Sequence, residues 1–590
     1  MRSLCFSPKT TSSSSSSISH YPSPSHRLGL STPRRSFSDS NMERTLENAE
    51  SIITKWNPDT STFAKVTSLF YENRGEARDF IKFVNDLQKA MHFTVTENSS
   101  SEKLVRGQNL MQIAMKRLQK EFYQILSMNR AQLDPESVSA RSSRASTRSS
   151  TSDYEDDDGT EDEIRRTGDS VSEVEHVSTI VMDDLRLIAE CMISSGYGKE
   201  CVKIYNIIRK SIIDEGIYRL GVERIAVKTL FNGERILCDH VFAASDSIRE
   251  SCFTEISKEG ASILFAFPET VAKSSKKSPE KVFRTLDMYT AISEYWPEIE
   301  SIFSFESTSA IRSQTLTSLN KLGESVRIQL TEFESWIQKD TSKSPVAGGG
   351  VHHLTLDVMT YLSLLADYST ALAEILADSP PPSKSFLSEY HFDISDSDES
   401  LAPAISLRFV WFILVLLCKL DGKGKHYKDV CLSYLFLANN LQHVISRVRT
   451  SNLKYLLGDD WISNHEVKVK QFAANYERLG WDHVINSLPE DPTVVMSPGK
   501  VKECFKKFNA AFEQTCRKQS VCVIPDSKLR DEIKTSIARK ITPVYRELYK
   551  THRLKLGRER NLALSVKFTP DDIETYLSDM FLGTVGSGVS

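Results

Sequence analysis

The chain has 590 residues, with 24 glycines and 20 prolines, well under the usual roughly 7% and 5%. Scarcity of these two helix-hostile residues points to an all-α protein and away from sandwiches, barrels and propellers. The 74 lysines and arginines against 78 acids give a net charge of −4 and no global pull toward nucleic acid or membrane, so any basic surface is local.

A single core stops growing beyond about 250–300 residues, so this length predicts several domains or an elongated stack of helical bundles. Residues 1–41 form a serine-rich segment, with fifteen serines in the first forty residues and no acid before Asp39. That composition fits either a disordered, phosphorylatable tail or an organellar import leader. A helical region follows at 42–130, carried by Phe80, Ile81, Phe83, Val84 and Leu87 and by Leu110, Met111, Ala114, Met115 and Leu118. Residues 131–175 read as a disordered linker, Ser/Arg-rich and then acidic, with eight acids between Asp153 and Glu163.

Helical pattern resumes and divides into middle bundles at 176–340, a bundle at 341–488 with long loops at 341–352 and 378–403, a C-terminal bundle at 489–582, and a tail at 583–590. Pro268, Pro297 and Gly348-Gly349-Gly350 are expected to punctuate it, and Ser278-Pro279-Glu280 reads as a helix start. The ten cysteines include no C-x-x-C pair, so neither a zinc module nor a disulfide framework is indicated. Cys191, Cys201, Cys418, Cys431 and Cys504 sit in apolar helical patterns and are expected in the core. The apolar run Phe409–Cys418 is too short to span a bilayer and predicts a buried helix.

Catalytic motifs fail one by one. Gly196-Tyr197-Gly198-Lys199-Glu200 lacks the first glycine and the Ser/Thr of a phosphate loop and predicts a helix–helix corner. His465-Glu466 lacks the second histidine of a zinc-protease helix, because Val469 stands there. Asp459-Asp460 and Asp571-Asp572 read as helix starts, where acids meet the positive helix end. His352-His353 have no companion ligands nearby in sequence. No enzyme and no cofactor is indicated.

One constellation has a physical purpose. Pro525–Arg560 holds eleven basic residues against five acids. At 100° per residue, Lys528, Arg539, Arg546, Lys550 and Arg553 fall within about 60° of one another. Ile533, Ile537, Ile541, Val544 and Leu548 fall on the opposite face, and Pro543 is expected to kink the helix. A solvated charged face is the plain reading of such a helix. An anionic membrane surface is the functional one, at roughly 1 kcal/mol per basic residue close to lipid. No nucleic-acid motif accompanies the stretch.

Strings along the chain carry a resemblance to a known family: Gly196-Tyr197-Gly198-Lys199-Glu200-Cys201, Tyr434-Leu435-Phe436-Leu437-Ala438-Asn439-Asn440, Ile524-Pro525-Asp526 with Leu529-Arg530, and Pro570-Asp571-Asp572-Ile573-Glu574. Over about residues 42–582 the chain resembles the seventy-kilodalton subunit of the exocyst, plant form. The resemblance implies a rod of stacked antiparallel helical bundles, no enzymatic activity, and a role in tethering secretory vesicles to the plasma membrane. It implies the other exocyst subunits and Rho-type GTPase signalling proteins as partners, and phosphatidylinositol 4,5-bisphosphate as the lipid met by a C-terminal basic patch. By position that patch lands on Lys528, Lys534, Arg539, Lys540, Arg546, Lys550 and Arg553. Ala538 and Thr542 stand where some members carry lysine, and Cys522 replaces an aromatic. The implied location is the cytoplasm, peripheral at the inner face of the plasma membrane, with organellar import through residues 1–40 as the alternative. A helical adaptor working only through protein contacts outside the exocyst is the alternative function.

Overall fold

A computed structural model describes residues 35–97, 102–130, 133, 161–220, 230–377, 404–494, 496–556 and 566–581, without the side chains of 35–41, 97, 161–177, 218–220 and 553–556. Residues 1–34, most of the expected linker, the 378–403 loop and the 583–590 tail lie outside the described residues. The helices are α1 (Arg35–Lys55), α2 (Thr62–Val66), α3 (Leu69–Glu72), α4 (Arg74–Glu97), α5 (Glu102–Met128), α6 (Glu161–Ser194), α7 (Gly198–Leu220), α8 (Asn232–Val241), α9 (Asp246–Ser275) and α10 (Val282–Ile302). They continue with α11 (Ser309–Lys339), α12 (His353–Leu365), α13 (Ser369–Leu376), α14 (Ala404–Gly424), α15 (Val430–Arg449), α16 (Leu453–Ile485), α17 (Pro498–Gln519), α18 (Ser527–Leu556) and α19 (Pro570–Ser578). Among the described residues there is no β-strand, and the all-α expectation is met. The chain divides into two compact units, Met1–Val138 with Ser150–Ile208 and Leu237–Arg249, and Ser139–Ser149 with Arg209–Ile236 and Glu250–Ser590.

In the first unit α1 packs on α4 and α5, and α5 on α6. The apolar stripes read from sequence face inward: Phe80, Val84, Leu87, Ala114 and Leu118 are fully buried. Helix α6 begins at Glu161, inside the segment whose composition reads as linker; Glu161, Asp162 and Glu163 stand at its positive end. Gly196, at φ +87°, turns the chain from α6 into α7, the corner expected of that string.

In the second unit one continuous core runs from Ala272 to Phe581. Helix α15 packs on α16 after a three-residue connection, and α16 in turn carries α17 and α18. The Asn439-Asn440 pair anchors the triple-glycine segment. Asn439 donates to the Gly349 and Val523 carbonyls at 2.7 and 2.8 Å, and Asn440 donates to Gly350 and Phe436. The Asn440 side-chain oxygen accepts from the His352 N–H at 2.9 Å and the Thr355 hydroxyl at 2.7 Å. Gly348 is at φ +66°, and its carbonyl accepts the Val523 N–H at 2.9 Å. A Cβ there would lie 2.5 Å from the Val521 carbonyl oxygen, which is why glycine stands at this crossing.

Several local expectations are corrected. Pro268 and Pro297 do not break the chain; they lie inside α9 and α10, where packing of the surrounding turns overrides local propensity. Pro279 opens a 3₁₀ turn as expected, but Ser278 makes no side-chain capping bond. Cys418 is exposed and Cys504 half-buried, whereas Cys191, Cys201 and Cys431 are buried. The Phe409–Cys418 run lies in α14 with Phe409, Phe412, Ile413 and Leu416 buried, and among the described residues no helix is long and apolar enough to cross a membrane. Asp459-Asp460 follow a break at Gly458, at φ +82°, and Asp572 joins Thr569 in a capping box at α19.

Candidate functional site

Helix α18 starts where Asp526 accepts the Leu529 N–H at 2.8 Å, and Arg530 reaches back to the Ile524 carbonyl at 3.2 Å. The Ile524-Pro525-Asp526…Leu529-Arg530 string therefore builds a helix cap. The helix runs unbroken through Pro543. Ile533, Ile537, Ile541 and Leu548 are buried as the periodicity predicts. Val544 is half-buried instead, and fully buried Tyr545 takes its place. The cause is α17: Phe508 and Phe505 lie 4.5 and 5.8 Å from the Tyr545 ring, while its hydroxyl donates to the Phe568 carbonyl at 2.7 Å.

The sequence-predicted basic residues separate into two groups. Lys528, Arg539 and Lys550 are exposed on the outer side. Among the described residues Arg539 makes no ion pair, and Lys550 meets only Glu547, one turn earlier on the same helix, at 3.8 Å. The others are held by the fold. Lys540 donates to Glu477 of α16 at 2.7 Å, Arg546 pairs with Glu574 of α19, and Lys534 donates to the Ser578 carbonyl at the end of α19. Burial, followed by repulsion from Arg530, pushes the Lys534 ammonium below its ordinary pKa. The backbone of Arg553 continues α18, but its side chain lies outside the described side chains.

Residues the sequence reading left out also frame this face. Glu466 of α16 accepts from Arg449 at 2.6 Å, and that bond is the main reason its carboxyl lies below the usual range; Lys528 and Lys470 add to it. Arg449 and Glu466 come from different helices, and no sequence period links them. Thr542 is 7% exposed, and Cys522 is buried with its thiol donating to Gln519 at 3.1 Å.

A second cluster arises from the fold. His352-His353 do have a companion: Asp340 brings a ligand atom within 4.8 Å of both rings. The arrangement does not suit a metal. Nδ1 of His352 accepts the Leu354 N–H at 3.0 Å, so the ring proton resides on Nε2, the atom a metal would need. Lys423 already answers the carboxylate, with its ammonium 3.0 Å from Asp340 and 2.6–2.7 Å from Ser342. Burial pushes the Asp340 carboxyl up, but the Ser342 N–H and Lys423 outweigh it and hold the pKa at about 2. This is a structural ion pair that secures the 340–352 segment to α14.

Comparison with known proteins places these features in a family. Residues 220–579 match the C-terminal domain of the Exo70 exocyst complex subunit, and residues 45–128 match the N-terminal domain of exocyst component Exo70. Exocyst complex component EXO70A1 of Arabidopsis thaliana is 28% identical, over 92% of this chain and 89% of its own. EXO70B1 of the same plant is 29% identical, over 82% of this chain and 80% of its own. A solved structure of S. cerevisiae Exo70 shares the fold at a TM-score of 0.51 and 15% identity, covering 91% of this chain and 99% of that one. The chain belongs to the Exo70 family of exocyst subunits and is of the plant type.

Proposed function

We propose that this protein is an exocyst subunit that helps tether secretory vesicles to the inner face of the plasma membrane, and that it meets phosphoinositide there through α18. The observation that carries the reading is the trio Lys528, Arg539 and Lys550, exposed on one side of a helix whose other side is locked into the core. At roughly 1 kcal/mol per cation, three such residues give a weak, reversible hold, suited to a protein that arrives with partners. Those partners are the other exocyst subunits, as the names of its relatives indicate, and Rho-type GTPase signalling proteins. The protein acts without catalysis, from the cytoplasm.

A second reading has its own support. Lys534, Lys540 and Arg546 are spent on contacts within the chain, as expected of an adaptor whose basic helix serves its fold. Reversing Lys528, Arg539 and Lys550 to Glu separates the two. Loss of phosphoinositide-vesicle binding with exocyst subunits still co-purifying supports the first; a wild-type protein that binds no vesicles and co-purifies with partners outside the exocyst supports the second.

A further inference from the structure

The C-terminal half of α17, the extended residues before α19 and the end of α19 enclose a pocket of about 430 Å³. That volume suits a ligand site, and none of the lining belongs to the basic face of α18.

The walls are aromatic. The rings of Phe512, Phe568 and Tyr576 stand 5.3 to 6.1 Å apart, edge to face. Phe512 and Phe568 are buried, while half-exposed Tyr576 carries the apolar wall out to the surface. Met580 and Phe581 complete it. Phe581 is the one non-glycine residue at positive φ among the described residues, at +68°. A bulky side chain is strained there, and the fold holds it: its carbonyl accepts the Ile524 N–H at 3.2 Å and the Tyr476 ring lies 6.2 Å from its own. Strain of this kind clusters where a fold shapes a binding site.

The rim is charged. Arg517 and Lys567 reach the same Glu513 carboxylate, each at 2.8 Å, and both stay more than half exposed. Arg517 spends one nitrogen, Nη2, on this contact, which leaves the rest of its planar fork open to a second carboxylate. Asp579 is the other acid in the lining, and Lys534 of α18 lies within reach of its charge. Three cations therefore meet two acids, and the excess is positive.

The backbone adds a third element. Residues 566–569 are extended, and among the described residues the N–H groups of Lys567 and Phe568 have no hydrogen-bond partner. An extended peptide brings the carbonyls such donors take, whereas an acyl chain brings none. Aromatic rings, methionine and arginine gathered in one concave site are also the composition of a protein-binding hot spot.

We propose that this pocket captures an extended segment of a partner protein. An aromatic or long aliphatic side chain of that segment seats against Phe512, Phe568 and Tyr576, and a neighbouring carboxylate meets Arg517. The site is separate from the membrane reading of α18 and stands or falls without it.

The test presents the full-length chain to a phage-displayed library of random heptapeptides and reads the affinity of recovered peptides by fluorescence anisotropy. Ser520 lines the pocket and is exposed, so Ser520→Trp fills the space, and Arg517→Glu reverses the charge. Lys518→Glu, exposed one residue away and outside the lining, is the control. Recovered peptides are expected to carry an aromatic or long aliphatic residue beside Asp or Glu. Ser520→Trp and Arg517→Glu are each expected to weaken them about tenfold or more, and Lys518→Glu to match the wild type. Circular dichroism establishes the fold of the three variants. Failure to recover any peptide that tells the wild type from Ser520→Trp overturns the proposal, as does recovery of basic peptides alone. Loss of phosphatidylserine-vesicle binding by Ser520→Trp, with no peptide recovered, overturns it too and assigns the pocket to a lipid chain.

Discussion

Lys540 of α18 donates to Glu477 of α16 at 2.7 Å, and the same carboxylate accepts the Ser536 hydroxyl at 2.6 Å. Glu477 is nearly buried while Lys540 is half-exposed, so one carboxylate both fixes α18 on the core and cancels a cation at the edge of its outer face. Glu574 of α19 also pairs with Arg546, but there both side chains are half-exposed. The basic face is thus weaker than its composition suggests, and acids from neighbouring helices set how much of it is free.

Replacing Glu477 by Gln keeps the shape and removes the charge, freeing Lys540 to face an anionic surface. Binding to phosphoinositide vesicles is expected to rise about fivefold, the worth of roughly one further cation near lipid. Vesicle co-sedimentation at low salt measures it, and no rise would mean that Lys540 lies beyond reach of the membrane.

Thr542 of α18 is buried, 7% exposed. Thr542→Lys is expected to destabilise the chain by about 1–3 kcal/mol, because an ammonium group would enter the core without a partner. A thermal melt lowered by several degrees is the expected result. An unchanged melt would show that the helix can turn or shift to expose this position.

Gly348→Val places a branched Cβ against the Val521 carbonyl in a left-handed backbone, and Asn440→Ala removes the side chain that holds Gly350, His352 and Thr355. Each is expected to cost on the order of 2 kcal/mol in chemical denaturation. The pair should be less than additive, since both loosen the same segment.

How far the sequence carried can be seen residue by residue. The buried side of α18 was legible at Ile533, Ile537, Ile541 and Leu548, because a helical period needs no knowledge of the neighbour. Tyr545 was not, because its burial depends on Phe505 and Phe508, which α17 supplies. The cationic side was legible as a count but not as a free surface. Glu477 and Glu574 arrive from other helices, and no spacing links them to Lys540 or Arg546. Pro268 and Pro297 misled for the converse reason: local chemistry argues for a break, and the packed bundle overrides it. The buried ion pair of Arg117 and Glu121 on α5 gave no sequence signal, since it looks like an ordinary i,i+4 pair until its depth is known.

Acid is expected to weaken the fold through His465. Burial pushes its pKa down to about 4, against the Trp461 carbonyl that pulls it up. The unfolded chain takes up a proton near pH 6.5 and the folded chain does not, so stability is full above pH 6.5 and falls as pH drops toward 4. A His465→Phe variant should show a flatter stability profile across that window in urea titrations. Parallel profiles would assign the loss to other groups.

The central claim is that the exposed trio on α18 is the membrane contact of an exocyst subunit. Its most direct test is the apparent affinity of the full-length protein for vesicles containing phosphatidylinositol 4,5-bisphosphate, compared with a Lys528→Glu/Arg539→Glu/Lys550→Glu variant whose fold is verified by circular dichroism. Removing three cations worth about 1 kcal/mol each predicts a loss on the order of 100-fold. Equal affinity of the two proteins would contradict the account.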